Sequence, residues 1–178
     1  MSTVYITSDL HLGHKNIHKF RCRELGFFRN FDGAESYTEW LYDQLAPVVT
    51  KRDTLIVLGD CCFTPEALED FNYRVRCNKI LVKGNHDFAA TIPKYKKMYD
   101  DVFSRVEGLY RYKGQWLSHA PIHPDELRGS FNFHGHLHYH NIEDPRYFNC
   151  CIENMLETFD KPLATWQDVL TLVKERNR

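Results

Sequence analysis

The stretch that decides the fold is Thr54-Leu55-Ile56-Val57-Leu58-Gly59-Asp60, a short apolar run that ends in a Gly-Asp turn. Two other runs share its pattern, Val4-Tyr5-Ile6 and Lys79-Ile80-Leu81-Val82. β-Branched and other apolar residues in runs of this length are typical of buried strands. Because polar residues follow these runs, we expect the polar side chains to collect at one edge of a sheet.

Helices are predicted between these strands. Ser36 and Glu39 have the spacing of a capping box that opens a helix. The apolar face of that helix consists of Trp40, Leu41 and Leu45. Residues 65–76 are predicted as a second helix, because a proline suits the first turn. The alternation of strands and helices indicates a largely parallel sheet with crossover helices.

The second half of the chain has a different pattern. A helical or irregular stretch at residues 93–99 precedes closely spaced short strands, predicted at 102–106, 109–112, 115–118, 131–133 and 147–152. Gly108 and Gly114 supply tight turns, so we expect a mostly antiparallel second sheet that packs on the first. Residues 165–176 form a last helix, whose inward side chains are Trp166, Val169, Leu170 and Val173. The fold class is therefore α/β, with two packed mixed β-sheets flanked by helices.

Length and composition indicate an ordinary globular protein. A chain of 178 residues is typical of a single domain, taken as 1–178. With 43% hydrophobic and 26% charged residues, the chain resembles soluble proteins. No apolar run is long enough to span a membrane, and the first residues do not resemble a signal peptide. The six cysteines lack a disulfide framework spacing, so we expect reduced thiols and a cytoplasmic location.

Five polar clusters follow successive predicted strands. They are Ser8-Asp9-Leu10-His11, Gly59-Asp60, Gly84-Asn85-His86-Asp87, Ser118-His119-Ala120-Pro121 and His134-Gly135-His136-Leu137-His138. Each cluster alone has an ordinary explanation as a strand cap, a loop entry or a turn. In Asp-x-His, an extended strand would point both side chains to the same side. Together, at successive strand ends, the clusters predict a metal site.

The donor count indicates the type of site. Two carboxylates, one amide oxygen and four imidazoles exceed the needs of one tetrahedral zinc ion. They suit two divalent transition ions that share a bridging ligand, as in enzymes that displace a group at phosphorus. We expect Mn, while Fe, Zn, Co and Ni are also compatible with mixed nitrogen and oxygen donors.

The order of these motifs resembles that of the calcineurin-like metallophosphoesterase superfamily. The match runs from Asp9 to His138, about three quarters of the chain. The first motif is similar to that of small, stand-alone phosphoesterases of bacteria and their viruses. The resemblance implies a four-layer sandwich fold and hydrolysis of phosphodiester or phosphomonoester bonds in small or nucleotide-like substrates.

The resemblance also implies a role for each motif residue. One metal ion would be held by Asp9, His11, Asp60 and His138. The second would be held by Asp60, Asn85, His119 and His136, so that Asp60 bridges the two ions. A metal-bridging hydroxide would be the nucleophile. His86 would protonate the leaving oxygen or stabilise phosphoryl charge, with Asp87 orienting its ring.

Departures from the superfamily pattern narrow the substrate. Serine/threonine phosphatases of the superfamily carry Asp-Arg-Gly after Gly-Asp and end the third motif in Glu, whereas this chain has Cys61-Cys62-Phe63 and Asp87. A protein phosphatase is therefore disfavoured. The alternatives are a nuclease acting on DNA or RNA and a non-catalytic scaffold with the same fold. A net charge of −1 predicts no stable nucleic-acid complex.

Several neighbouring residues have more than one interpretation. The segment with His14, Lys15, Asn16 and Arg21 either approaches a substrate phosphate or begins a solvated helix. Cys61 and Cys62 are interpreted as small buried side chains rather than as ligands or redox groups. The histidines at positions 134 and 140 are expected to support the ligands or lie on the surface. Asn149 and Glu153, on the last predicted strand, are expected to serve structure.

Overall fold

Among the residues that the structure describes, the first sheet has five strands, and the loops that follow several of them contain predicted site residues. The computed structural model describes residues 2–24, 31–87 and 92–178, apart from the side chains of residues 21–24. The first sheet contains β1 (Val4–Thr7), β2 (Thr54–Val57), β3 (Asn78–Val82), β4 (Arg105–Glu107) and β9 (Ala164–Thr165). Their order is β4-β3-β2-β1-β9, with β9 antiparallel to β1 and the other pairs parallel.

The second sheet contains β5 (Tyr110–Tyr112), β6 (Gln115–Leu117), β7 (Asn132–His134) and β8 (Tyr147–Asn149). The strands lie in chain order. The pair β5 and β6 is antiparallel, whereas β6 with β7 and β7 with β8 are parallel. The prediction of two packed mixed sheets is confirmed, but the prediction that the second is mostly antiparallel is wrong. The tight turn at Gly114 serves only β5 and β6, and the longer connections 118–131 and 135–146 allow parallel crossovers.

Six helices flank the sheets within the described residues. They are α1 (Ile17–Glu24), α2 (Ala34–Leu45), α3 (Pro65–Arg74), α4 (Pro93–Val102), α5 (Ile152–Phe159) and α6 (Trp166–Arg176). A short 3-10 helix covers Pro124–Glu126. No helix in the described part of the chain is long and apolar enough to cross a membrane.

The core has two parts because both faces of the first sheet are covered. Leu55 and Val57 of β2 pack with the helices on the outer face. Ile56 of β2 faces the other way, into a second cluster between the sheets that includes Phe133 and Phe148 of the second sheet. A strand buried on both faces requires apolar residues at consecutive positions. This double burial explains the unbroken apolar run from which the fold was predicted.

Three predicted element boundaries are wrong. The strand predicted at residues 102–106 is divided between the end of α4 and β4, and β4 pairs with β3 of the first sheet. The strand predicted at 147–152 ends at Asn149, and α5 begins at Ile152. Helix α2 begins before Ser36, and the Ser36 hydroxyl accepts from the N–H of Gly33, 3.4 Å away. Ser36 is therefore the third residue of the helix and not its cap.

The other two predicted helix starts are confirmed. Helix α3 begins at Pro65, and the side chain of Thr64 caps it by accepting from the N–H of Ala67. Helix α6 is capped by Thr165 and buries Trp166, among other apolar side chains. Because α6 packs against the second core cluster, it closes the sheet pair on the side of β9.

Candidate metal centre

The loops after β1, β2, β6 and β7 meet at one place and are joined by backbone hydrogen bonds. The N–H of Asp9 donates to the carbonyl of Gly59 at 3.0 Å, and the N–H of His11 donates to that of Asp60 at 2.9 Å. In the second sheet, the N–H of Gly135 donates to the carbonyl of His119 at 2.8 Å. The N–H of His86, after β3, donates to Asp60 Oδ1 at 2.8 Å, and the N–H of His136 donates across the two sheets to Asp9 Oδ2 at 2.9 Å. The five predicted polar clusters are thus neighbours in space, which is the main expectation from the sequence.

Five of the predicted ligands have left-handed backbone conformations. Asp9, His11, Asp60, His136 and His138 have φ angles between 50° and 69°. Such a conformation costs a residue other than glycine about 1–3 kcal/mol, and it accumulates where function requires it. The sequence predicted that Asp9 and His11 point to the same side if the strand stays extended. That condition is not met, because β1 ends at Thr7 and both residues turn. The turns nevertheless bring the Asp9 Oδ1 and His11 Nε2 atoms to 3.5 Å.

Two glycines allow the loops after β2 and β3 to touch. Gly59 has a φ of +96°, and a Cβ atom there would lie 2.7 Å from the backbone nitrogen of Gly84. A Cβ on Gly84 would lie 2.6 Å from the backbone nitrogen of Asp60. Both approaches are too close for any side chain, so these glycines hold the Asp60 turn against the turn that carries Asn85.

The carboxylate of Asp9 is fully buried and directed at the site. Its Oδ2 atom accepts from the Ser8 hydroxyl, from the N–H of His136 at 2.9 Å and from the Cys151 thiol at 3.0 Å. Burial raises the pKa of Asp9, but the hydrogen bond with His11 and the surrounding imidazoles outweigh burial and hold the pKa below its usual value. Asp9 is therefore a carboxylate whose Oδ1 atom faces the imidazoles.

The ring of His119 has a fixed tautomer. Its Nδ1 atom lies 2.8 Å from the carbonyl of Leu58, so Nδ1 carries the proton and donates it. The Nε2 atom then presents a lone pair, which faces Asn85 Oδ1 at 2.9 Å and His136 Nδ1 at 3.2 Å. The Asp60 Oδ2 atom lies 3.5 Å away on the same side. Donor atoms of four side chains therefore point at one position.

The ring of His138 is held by a residue whose role was missed from the sequence. Its Nδ1 atom lies 2.9 Å from the carboxylate of Glu153, which is 1% exposed in the first turn of α5. The proton on Nδ1 leaves the Nε2 lone pair facing Asp9 Oδ1 at 3.9 Å. A carboxylate that orients a ligand imidazole in this way raises its basicity. Glu153 was assigned from the sequence to the last predicted strand with a structural role, so no local signal placed it beside His138.

The converging donors fit a metal ion. The donor atoms form two groups, Asp9 with His11 and His138, and Asp9 with Asp60 and His119. Within each group, all donor atoms lie within 4.8 Å of one another. Lone pairs brought this close repel one another unless a cation lies between them, and oxygen and imidazole donors are ligands of divalent transition ions. The described residues that form the centre include no close thiolate pair of the kind found in structural zinc sites.

His86 lies beside the centre rather than among the closest donors. Its side chain is 46% exposed, and its Nε2 atom is 4.0 Å from Asp60 Oδ2. The N–H of His86 donates to Asp60 Oδ1 at 2.8 Å, which fixes the backbone next to that carboxylate. The imidazole stacks on the ring of Phe63 with 4.6 Å between centroids. The ring is therefore held near the metal donors and open to solvent.

The carboxylate of Asp87 has a different position from the predicted one. It accepts from the N–H groups of Asp60 at 2.7 Å, Cys61 at 3.1 Å and Gly84 at 2.8 Å. Both oxygens are thus engaged by backbone, so the expectation that Asp87 orients the ring of His86 is replaced by a role in joining two turns. Burial and the charge of Asp60 raise the pKa of Asp87 to about 6, although these N–H groups oppose the rise.

The remaining residues named from the sequence have distinct positions. His14 lines a cavity of about 220 Å³ at the centre, whereas Lys15 and Asn16 are exposed and the side chain of Arg21 lies outside the described residues. His134 is buried, and burial lowers its pKa to about 4. His140 is exposed, as expected for one of this pair.

Cys61, Cys62 and Asn149 contribute to the structure around the candidate site. Cys61 and Cys62 are buried free thiols with 3.6 Å between their sulfur atoms, as expected for small buried side chains. The Asn149 amide donates to the carbonyls of His138, at 2.6 Å, and His140, at 3.0 Å, which ties β8 to the ligand loop. Asn149 therefore serves structure, as predicted.

Comparison with known proteins supports the resemblance given by the motifs. The family model for calcineurin-like phosphoesterases matches residues 2–176. The crystal structure of AQ665 from Aquifex aeolicus, a protein of unknown function, has the same fold, with a TM-score of 0.68 and 23% identity over 97% of this chain and 100% of that chain. No curated protein matches this chain. The chain belongs to the calcineurin-like phosphoesterase family.

Proposed function

We propose that the chain is a phosphoesterase that uses two divalent metal ions to hydrolyse phosphodiester or phosphomonoester bonds of small or nucleotide-like molecules. The observation that carries this proposal is the convergence of lone pairs around Asp60 and Asp9. Such a cluster is costly in a folded protein unless it binds cations. Membership of a phosphoesterase family gives that cost a functional reason.

The proposed ligands divide around the carboxylate of Asp60. One ion would be held by Asp9, His11 and His138 with Asp60, and the other by Asn85, His119 and His136 with Asp60. The Asp60 Oδ2 atom lies 3.7 Å from His11 Nε2 and 3.5 Å from His119 Nε2, as a bridging position requires. When bound, the ions would supply an acidified water and neutralise charge on the phosphoryl oxygens. Mn is the proposed ion.

His86 is proposed as the group that protonates the leaving oxygen. Its ring is next to the bridging carboxylate but remains 46% exposed, so it can reach a bound substrate. An imidazole is suited to this work because its pKa lies near neutrality. Stacking on Phe63 and the hydrogen bond from the His86 N–H to Asp60 hold it in place. Asp87 contributes indirectly by joining the Asp60 and Gly84 turns.

The described part of the pocket supports a small substrate. The cavity of about 220 Å³ lies beside the proposed metal centre, and its lining includes His11, His86 and His138. Ligand pockets commonly measure about 300–1,000 Å³. A phosphate ester with a small substituent fits this space, and a folded protein substrate does not.

The test is a screen of metal-free protein supplied with one divalent metal at a time. We expect p-nitrophenyl phosphate, bis-p-nitrophenyl phosphate or a nucleotide to be hydrolysed with Mn²⁺, and the rate to fall to background with a chelator. Asp60→Asn serves as the matched inactive protein, which controls for contaminating phosphatase. Absence of hydrolysis with every metal and every ester would contradict the proposal.

A further inference from the structure

We infer that the cavity beside the metal centre selects esters in which one planar ring system is carried by the leaving oxygen, with Phe20 and Phe63 as the residues that determine this specificity. The inference rests on the proposed function and names the substrate class of the same site. Four features of the site support it: the continuity of the ring contacts, the exposure of Phe20, the position of His86, and the size and charge of the cavity.

The ring contacts form a continuous row from the centre to the rim. His86 stacks on Phe63 at 4.6 Å between centroids, with 26° between the ring planes. The edge of His14 contacts Phe63 at 4.8 Å, and Phe20 contacts His14 at 5.7 Å, both in edge arrangements. All four side chains line the cavity. The row therefore begins at the proposed acid and ends at the cavity rim.

The exposure of Phe20 is the sign that the row accepts a ligand. Its ring is 48% exposed although it lines the cavity and contacts His14, so much of its apolar surface remains open to a ligand. Burial of that surface becomes favourable when a ligand with an apolar face covers it. Aromatic rings bind one another in stacked or edge arrangements better than an alkyl group of similar area does. A planar substituent is thus the chemistry that this wall recognises.

The position of His86 decides which part of the substrate enters. If His86 protonates the leaving oxygen, the group attached to that oxygen must lie on the same side of phosphorus as the ring row. The ring of Phe63 is held by His86, and Phe20 lies farther out past His14. The leaving group is therefore the part of the ester that contacts the row.

The size and charge of the cavity limit the substituent to one ring system. A volume of about 220 Å³ is below that of common ligand pockets. The described residues that line the cavity include neither lysine nor arginine. Glu153 contributes a carboxylate to the lining, and this carboxylate is hydrogen-bonded to His138 Nδ1. Beyond the proposed ions, the described lining therefore offers a polyphosphate chain or a longer polynucleotide no cationic side chain, and the volume suits a single aryl or nucleoside group.

The test measures binding of three phosphonates to Mn²⁺-loaded protein by calorimetry. In benzylphosphonate, cyclohexylmethylphosphonate and ethylphosphonate, a methylene group replaces the scissile oxygen, so binding is measured without turnover. We expect benzylphosphonate to bind about tenfold more tightly than ethylphosphonate, with the cyclohexyl compound in between. Phe20→Ala should reduce the tenfold ratio to about threefold or less, and Phe20→Trp should keep it.

Tyr73→Ala is the matched control, because Tyr73 is 69% exposed and lies away from the cavity on α3. In Tyr73→Ala, the ratio of the affinities for benzylphosphonate and ethylphosphonate should equal that of the unchanged protein. Equal binding of benzyl and cyclohexylmethyl compounds, or a ratio insensitive to Phe20→Ala, would overturn the inference. If esters are hydrolysed in that case, the proposed function stands. If no ester is hydrolysed and no phosphonate binds, both are overturned.

Discussion

The loops that follow the strands of the two sheets contribute different chemistry to the proposed metal centre. Loops of the first sheet supply three oxygen donors and one imidazole, from Asp9, Asp60, Asn85 and His11. Loops of the second sheet supply imidazoles, from His119, His136 and His138. Of the oxygen donors, the carboxylates of Asp9 and Asp60 carry the charge that would attract cations, whereas the neutral amide of Asn85 and the imidazoles would complete the coordination without adding charge.

The two sets also differ in how they are held. The Asp9 Oδ2 atom accepts from three donors, and the Asp60 Oδ1 atom accepts from the N–H of His86, so these carboxylates take part in the loop framework. His119 and His138 are each oriented through Nδ1 by one acceptor, the Leu58 carbonyl and the Glu153 carboxylate. Loss of a carboxylate should therefore affect both metal binding and structure, whereas loss of an imidazole should affect mainly metal binding.

The largest effect is expected from Asp60→Asn. The change removes the negative charge proposed to be shared by both ions, so activity should fall about 10³- to 10⁴-fold, the equivalent of several kcal/mol of metal-derived stabilisation. Metal content should fall in parallel when measured by mass spectrometry of the purified protein. His140→Gln, at an exposed position, is the control. Retention of two ions by Asp60→Asn would show that Asp60 is not the bridge.

A slightly smaller effect is expected from His86→Asn. Loss of a general acid should lower kcat about 10²- to 10⁴-fold. The metal content should stay at that of the unchanged protein, because the His86 Nε2 atom is not among the closest donors. Steady-state kinetics together with metal analysis would separate the two effects. A loss of metal in this variant would move His86 into the ligand set.

Glu153→Gln tests how the Glu153 carboxylate supports His138, one of the imidazoles from the loops of the second sheet. The variant keeps the shape of the side chain but weakens its hold on His138 Nδ1, so the affinity for Mn²⁺ should fall about 10- to 100-fold. Glu157→Gln, exposed on the same helix, is the matched control. The measurement is a Mn²⁺ titration of each metal-free protein. Equal affinities would mean that the Glu153 carboxylate does not tune the ligand.

Lys79 tests whether buried charge away from the centre stabilises the first sheet. It is 2% exposed, and its Nζ atom donates to the Asn72 side chain at 3.1 Å. Burial lowers the pKa of Lys79 from its ordinary value of 10.5. The unfolded chain therefore binds the proton more tightly, and stability rises with pH between the folded pKa and 10.5.

Lys79→Met should accordingly raise the free energy of unfolding by about 1 kcal/mol at neutral pH. This advantage should shrink as the pH rises through that window, because the wild-type side chain becomes neutral when folded. Urea unfolding at several pH values measures both effects, with Lys51→Met at an exposed position as the control. A variant less stable than the wild type would show that the hydrogen bond to Asn72 outweighs the cost of burying the charge.

The sequence predicted features that depend on neighbouring residues. The run that contains Ile56 shows its strand by composition, and the Gly-Asp turn after it shows where the chain turns toward the site. The order of the motifs then predicted that the ligand candidates meet at one site. These features depend on short stretches of sequence, so they can be predicted from the pattern of residues.

The features that the sequence did not predict depend on distant partners. The parallel direction of β8 is set by its pairing with β7, Phe133 opposite Phe148, which no short window contains. Glu153 reaches His138 only because the chain turns into α5 after β8. The backbone contacts of Asp87 require the Asp60 turn to be beside it. These contacts join residues that are far apart in the sequence, so they depend on the fold and not on a local pattern.

We propose that one site, built from the loops of both sheets, binds two ions and hydrolyses phosphate esters. The most direct measurement is a titration of metal-free protein with Mn²⁺, in which bound metal and hydrolysis of a p-nitrophenyl ester are followed together. Activity should reach its plateau at two bound ions per chain. Full activity at one ion, or two bound ions without hydrolysis of any ester, would contradict this proposal.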